Sequence, residues 1–382
     1  MGARQVGKTT LTRLLGQEFG LAYLSLDDRD VRQEAIDDPE GLLDRVARSG
    51  AVLDEVQRAP DLLLALKAVV DREQRPGRFL LTGSNQPRLS SQVADSLLGR
   101  VAYRTLRPLT VSEQRYDDSG RRWTWFLELP WRELERSLTE SAQLSGPLDW
   151  HIVAATGGMP RAVFAPPADC LQVLDDYLST FAQRDIRDIL GVESPDRFER
   201  FLRLTAARTG QEFNSSAMSR DLGVAVNTVR RWVSALERSY LVTLVPAYSR
   251  NSSSRVIKAA KLFIVDSGLA LAGSRDPEPS GFHLETLIAN DLLVWRDEIP
   301  GRQVSHWRDG SGPEVDFVIQ QGAKIVAVEI KAAAEVSNND ARNLASFLVR
   351  YPETVLGVLL SSDARIRVVR DRIVAAPWWS VL

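Results

Sequence analysis

The chain has 382 residues, of which 44% are hydrophobic and 26% charged, with a formal net charge of −2. That length exceeds one ordinary core and implies two or three domains, and the near-neutral balance excludes a polycation, so any nucleic-acid surface has to be local. A single cysteine, Cys170, excludes an internal disulfide and a cysteine-based zinc site, His151, His283 and His306 lack metal-ligand spacing, and no apolar run approaches the roughly 18 residues of a membrane span. The expectation is a soluble protein of a reducing cytoplasm, with no signal peptide and no membrane contact.

The chain opens on "MGARQVGKTT", in which Gly2, Gly7, Lys8 and Thr9 fit the phosphate-loop pattern G-x-x-x-x-G-K-[ST]. In such a loop Gly2, Gln5, Val6, Gly7 and Thr10 form a backbone cradle, Lys8 supplies a cation to the β- and γ-oxygens, and Thr9 offers a hydroxyl to Mg2+. "GKTTLTRLLGQEFG" reads as a helix and "LAYLSLDD" as a short strand. In "SGAVLDEVQRAP" an apolar strand, Ala51 to Leu53, delivers Asp54 and Glu55 at its carboxyl end. "GRFLLTGSNQP" repeats the design with Phe79 to Leu81, followed by Thr82, Ser84 and Asn85. Strands alternating with helices imply a mostly parallel α/β sheet with its ligand at the strands' carboxyl ends. Asp54 is then the candidate to hold Mg2+ through water, Glu55 to orient or deprotonate the attacking water, and Ser84 or Asn85 to sense the γ-phosphate. Read alone, Asp54-Glu55 is equally a solvated strand end; beside the phosphate loop it points to nucleotide hydrolysis.

Residues 2 to 115 resemble the AAA-type ATPases of a large bacterial group, through "GARQVGKTTL", "LDEVQRAP", "LLTGSNQ" and "SLLGRVAYRTLRPLTVSE". The resemblance implies ATP and Mg2+ as cofactors and makes Arg100 a candidate arginine finger, a surface arginine being the other reading. "TGGMPRAV", residues 156 to 163, is similar to the Gly-x-Pro element that lies near the nucleotide base in related ATPases; a plain turn between helices explains it as well. Members of the group carry an apolar strand before the phosphate loop, and only Met1 stands there here. An upstream start, or a degenerate ATPase that binds nucleotide weakly, are the two expectations.

Residues 116 to 150 read as a connector or lid, and "LQVLDDYLSTFAQRDIRDIL" as a joining helix, with a boundary near residues 191 to 195. In "NSSAMSRDLGVAVNTVRRWVSALERSYLVTLVPAY" a short helix, a turn at Gly223 and a second helix make a helix-turn-helix. Val229, Trp232, Val233 and Leu236 form the second helix's apolar stripe, leaving Arg230, Arg231 and Arg238 elsewhere. "YLVTLVPAY" and "KLFIVDSGLA" suit the strands of a winged helix. From Asp196 to Lys261 twelve Lys and Arg face five Asp and Glu, a local +7. Such an asymmetry suits DNA; a protein-packing module is the alternative.

"GPEVDFVIQQGAKIVAVEIKA" reads as two alternating strands around Gly322-Ala323, a two-residue hairpin turn. That register pairs Gln321 with Lys324, Asp316 with Glu329 and Glu314 with Lys331. Val315, Phe317, Ile319, Val326, Val328 and Ile330 share a core face, and Glu314, Asp316, Glu329 and Lys331 the other. Asp316 opposite Glu329 is a like-charge pair that costs stability unless a divalent metal sits between them. The alternative is an exposed charge network, in which Asp316→Asn stabilises the fold. Asp316 followed by Glu329-x-Lys331 looks like the PD-(D/E)xK nuclease fold. That resemblance implies Asp316, Glu329 and, from the helix "FHLETLIANDLLVW", Glu285 as metal ligands, with Lys331 catalytic. "SHWRDGSG" would be the preceding strand, bringing His306 and Arg308 near. Val315 stands where the nuclease pattern has proline.

The resulting fold expectation is α/β throughout: a parallel-sheet P-loop NTPase domain with its first strand missing (1–115), a helical connector (116–195), a winged helix-turn-helix (196–270) and a restriction-endonuclease-like domain (271–382). ATP and DNA are the expected partners, with a homo-oligomer open. The order resembles bacterial ATPases with a nuclease-related C-terminal domain. A nucleotide-controlled switch that cuts nothing, such as a regulator or toxin–antitoxin component, is the alternative function.

Overall fold

The computed structural model describes residues 1–72, 75–83, 99–117, 122–185, 195–250, 259–310 and 312–382. The chain divides into two compact units, residues 1–107 with 238–241, and residues 108–237 with 242–382. Among the described residues no helix is long and apolar enough to cross a membrane.

In the first unit, α1 (Lys8–Phe19) follows the phosphate loop and stops at Gly20, whose left-handed backbone returns its N–H to the carbonyls of Gly16 and Gln17. It leads into β1 (Ala22–Ser25), α2 (Arg29–Asp37), α3 (Pro39–Val46), β2 (Ala51–Asp54), α4 (Leu62–Arg72) and β3 (Phe79–Leu81). Asp28 caps α2 through the N–H groups of Asp30 and Val31, and Asp38 caps α3. The strands pair in parallel in the order β1-β2-β3, the topology that alternating strands and helices imply. Leu42, Leu43, Leu53, Leu62 and Leu66 form its core.

The single residue before the loop is not left dangling. Met1's amino group donates to the Arg104 carbonyl at 2.9 Å, and its own carbonyl accepts the Leu106 N–H at 2.7 Å. Gly2 lies so close to that segment that a Cβ would sit 2.2 Å from the Leu106 oxygen, so no other residue fits there. The sheet among the described residues has three strands.

The second unit opens with α5 (Val111–Gln114), α6 (Arg122–Glu128), α7 (Trp131–Ser145), α8 (Trp150–Thr156), α9 (Pro160–Val163) and α10 (Cys170–Thr180). Residues 122–138 contribute Trp123, Phe126, Leu127, Leu134 and Leu138 to the largest apolar cluster, alongside Phe317, Ile319 and Val328. Next come α11 (Pro195–Ala207), β4 (Gln211–Glu212), α12 (Ser215–Leu222), α13 (Val226–Arg238), β5 (Val242–Val245) and β6 (Lys261–Ile264). Gly223 closes α12 in the left-handed conformation. Val229, Trp232, Val233 and Leu236 of α13 are buried, while Arg230 and Arg231 are exposed. The strands form an antiparallel sheet, β4-β6-β5.

After α14 (Ser267–Ser274) and α15 (Gly281–Glu298) comes a second sheet: β7 (Arg302–Arg308), β8 (Glu314–Gln321), β9 (Lys324–Ile330), then α16 (Arg342–Arg350), β10 (Leu356–Ser361), β11 (Arg367–Arg370) and β12 (Ile373–Pro377). Its order is β11-β12-β10-β9-β8-β7, with helices on both faces: α15 packs through Leu284, Ile288 and Leu292, α16 through Leu344 and Phe347. The two sheets of this unit are stitched together. Beyond β5, the His306 N–H donates to the Pro246 carbonyl at 3.0 Å, and the Tyr248 N–H donates to the His306 carbonyl.

The β8–β9 hairpin has the register read from its turn, Gln321 against Lys324 through Phe317 against Val328. One expectation fails in detail. Between Ser305↔Val318 and Trp307↔Val315, β8 carries one residue more than β7, a bulge that reverses its alternation. Val315 therefore packs with Val318, Ile325 and Ala327, on the side opposite Phe317 and Ile319. The second face is not a solvated polar surface either: α16 packs on it through Leu344 and Phe347, and Asp316 and Glu329 are both buried.

Candidate functional site

The phosphate loop stands at the carboxyl end of β2. Gly7 precedes α1 at φ 97° and, having no side chain, caps nothing. The first bond into the helix runs from the Leu11 N–H to the Gly7 carbonyl, so the N–H groups of Lys8, Thr9 and Thr10 have no partner within the helix. Val6 is buried beneath the loop, Gln5 takes a left-handed φ of 62°, and Gln5 and Thr10 are exposed. Uncapped N–H groups at a helix start are what an anion seeks.

Lys8 is 8% exposed and donates to the carbonyls of Gly2 at 3.0 Å and Ala3 at 2.7 Å. Burial pushes its pKa down to about 8, against the upward pull of Glu55 and Asp54. Asp54, 3% exposed, collects three hydroxyls. Thr9 Oγ1 donates to its Oδ2 at 2.9 Å, Tyr23 Oη to the same oxygen at 2.6 Å, and Thr82 Oγ1 to Oδ1. Glu55 follows at a left-handed φ of 59° and accepts from the Gln57 amide. Thr9 and Asp54, hard oxygen donors in mutual contact, have the chemistry to hold Mg2+.

A second cluster lies in the other unit. Lys261 of β6 donates from Nζ to Asp316 Oδ1 at 3.1 Å and to Glu285 Oε2 of α15 at 3.4 Å. The other Asp316 oxygen accepts the Ile330 N–H at 2.9 Å. Lys331 Nζ donates to Glu329 Oε1 at 2.7 Å, and Asn343 reaches the same oxygen at 3.5 Å. Glu329 Oε2 is buried and accepts nothing. Burial and the Asp316 charge push the pKa of both Glu285 and Glu329 up; the surrounding acids push Lys261 up against its own burial. His306 Nε2 lies 3.0 Å from the Ala259 carbonyl, two residues before Lys261, while Arg308 pairs with Glu212 at 3.5 Å. Among the described residues no three His, Cys, Asp or Glu are arranged to hold a metal ion.

Residues 1–114 match the AAA domain family. The N-terminal segment is thus similar to AAA domains. Residues 148–279 and 280–381 match two domains of unknown function, DUF8612 and DUF4143. Over 392 aligned positions the chain is 29% identical to uncharacterised proteins of Mycobacterium tuberculosis and Mycobacterium bovis, spanning 98% of this chain and 78% of each of them. An uncharacterised protein of Haemophilus influenzae is 22% identical over 73% of this chain and 65% of its own. Among solved structures, the Walker-type ATPase of Pyrococcus abyssi aligns with 15% identity over 71% of this chain and 89% of its own, at a TM-score of 0.39. A Vibrio cholerae protein aligns with 12% identity over 87% and 72%, at a TM-score of 0.18.

In the ATPase domain, Ser84 and Asn85 lie outside the described residues. Arg100 pairs with Asp71 at 2.6 Å on the surface. The "TGGMP" loop belongs to the second unit, where buried Asp266 accepts the N–H groups of Gly158 and Leu269. A Cβ on Gly158 would sit 2.0 Å from the Leu109 carbonyl, so the packing itself demands that glycine. Sequence reasoning missed Tyr23 and Lys261 altogether. Tyr23 lies inside the apolar strand of "LAYLSLDD", and Lys261 enters the sequence reading as one basic residue of the +7 segment and the first residue of a wing strand. No local signal distinguishes either from its neighbours.

Proposed function

We propose that this protein is an ATP-hydrolysing machine whose AAA-type domain drives a C-terminal module of winged-helix and nuclease-like parts, divided near residues 115, 195 and 270. The observation that carries the reading is the contact of Thr9 with Asp54, which joins the phosphate loop to the acid-bearing end of β2. Lys8 would leave the Gly2 and Ala3 carbonyls for the β- and γ-phosphates, and the open N–H groups of α1 would close on the same oxygens. Thr9 and Asp54 would hold Mg2+, which supplies charge neutralisation on the phosphates when bound. Glu55 would orient and deprotonate the attacking water, with Gln57 and the strained backbone fixing its direction. Arg100 acts as a finger only after exchanging Asp71 for a phosphate. Mg2+-dependent ATP hydrolysis lost in Glu55→Gln with nucleotide binding kept tests the assignment; hydrolysis unchanged by that substitution refutes it.

The exposed Arg230 and Arg231 on a segment of net +7 support duplex DNA as the target of the C-terminal module. The Asp316, Glu329 and Lys331 set supports a nuclease-like fold for the last part, with metal-dependent cleavage as its activity. The Lys261 contacts favour the second reading, a nucleotide-controlled binding switch that holds its target without cutting it. Plasmid nicking with Mg2+ or Mn2+, in the wild type and in Asp316→Asn, separates the two.

A further inference from the structure

A divalent cation between Asp316 and Glu329 would need oxygen atoms free to bind it. Only one of the four carboxylate oxygens is free: Glu329 Oε2, buried and without a hydrogen-bond partner. Asp316 is engaged by the Lys261 ammonium at 3.1 Å and by the Ile330 N–H at 2.9 Å, and Glu329 Oε1 by Lys331 at 2.7 Å. Glu285, which would complete a metal site from α15, turns its Oε2 to the same Lys261 ammonium, at 3.4 Å. Lys261 comes from β6, the central strand of the preceding sheet, and its side chain is 6% exposed. Lys261 pairs with Val245 of β5, and the adjoining residues 246–248 are stitched to His306 of β7.

We propose that Lys261 is a built-in cation that closes this carboxylate cluster to divalent metals, so that the nuclease-like domain is held off by a residue of its neighbouring module. The charge argument is direct. Buried Asp316 and Glu329 meet the half-buried Glu285, and the tethered Lys261 ammonium holds two of the three while Lys331 holds Glu329, at an effective concentration a free ion does not reach. The orphaned Glu329 Oε2 is the atom left over, since a lysine offers three hydrogens where a hard divalent cation would draw six or more oxygens. Removing the charge of Lys261 leaves Asp316 Oδ1, Glu285 Oε2 and Glu329 Oε2 open to draw together on a divalent cation. The idea rests on the nuclease-like reading of the last domain, yet its test reads binding rather than cleavage.

The experiment is titration of the full chain with Mn2+ alone, followed by electron paramagnetic resonance, in wild type, Lys261→Met, Lys261→Gln, Asp316→Asn and the Lys261→Met/Asp316→Asn double variant. Asp54→Ala in every background removes any ion held at the phosphate loop. Lys261→Met or Lys261→Gln, whichever keeps the far-ultraviolet circular dichroism of the wild type, gains a site at least about tenfold tighter than any in the wild type. The added Asp316→Asn removes that site. Wild-type Mn2+ binding that depends on Asp316 overturns the proposal even if neither lysine variant folds, and so does a folded lysine variant that gains no site. A variant that binds Mn2+ without nicking DNA upholds the closed cluster while refuting cleavage; Asp316-dependent nicking by the wild type does the opposite.

Discussion

Lys8 offers the most quantitative test, because its burial makes opposite demands on folding and on nucleotide binding. Its pKa falls from 10.5 to about 8 in the fold, mainly through burial. A base with a lowered folded pKa costs the fold stability wherever it is charged in both states, here below about pH 8; that cost fades as pH rises towards 10.5. At about 1.4 kcal/mol per pH unit the full cost is about 3 kcal/mol, of which about 2 is relieved by pH 9.5. Lys8→Met has no such charge, though it strands the Gly2 and Ala3 carbonyls at about 1 kcal/mol or more each. The difference in unfolding free energy between wild type and Lys8→Met, measured in urea at pH 7 and pH 9.5, should therefore move by about 2 kcal/mol in favour of the wild type. Titrating groups remote from Lys8 cancel in that difference. Binding runs the other way: phosphates favour the ammonium, so wild-type ATP affinity should hold below pH 8 and drop above it, while Lys8→Met neither binds well nor hydrolyses. Parallel stability profiles, or hydrolysis surviving in Lys8→Met, would refute the account.

Asp316→Asn should destabilise the protein by on the order of 2 kcal/mol, because it leaves buried Lys261 with Glu285 as its remaining carboxylate; a raised melting temperature would sink the buried pairing. Asp291 is buried against the Trp123 indole N–H at 2.6 Å, and burial lifts its pKa to about 7. A raised acid favours the fold when protonated, so its contribution falls from about pH 4 to pH 7. Asp291→Asn should then be neutral near pH 4 and stabilising at pH 8, by up to about 4 kcal/mol, with equal effects at both pH values counting against it. Replacing Arg230 and Arg231 together should weaken duplex DNA binding and flatten its salt dependence by about two ions; unchanged binding across a salt series would assign α13 to protein contact.

Local chemistry was legible directly. The phosphate loop, the Ala51–Asp54 strand with its acids, the Phe79–Leu81 strand and the β8–β9 register all depend on spacing along one short segment, and the chain shows each where the pattern places it. The stripe of Val229, Trp232, Val233 and Leu236 belongs to the same class, since helical period alone decides which residues turn inward. What surrounds those segments was not legible. Residues 104–106 lie beside Met1, and Tyr23 meets Asp54, through packing between segments distant in sequence. The bulge that turns Val315 to the opposite core is a single unpaired residue, invisible to an alternation count. Most consequential is Lys261, fifty-five residues from Asp316 in the chain and 3.1 Å from it in space. The register expected from the hairpin sets two carboxylates opposite each other and leaves their repulsion unanswered. Only the docking of a second sheet against β7 supplied the cation, because a buried charge takes its partner from whatever the tertiary fold brings within reach.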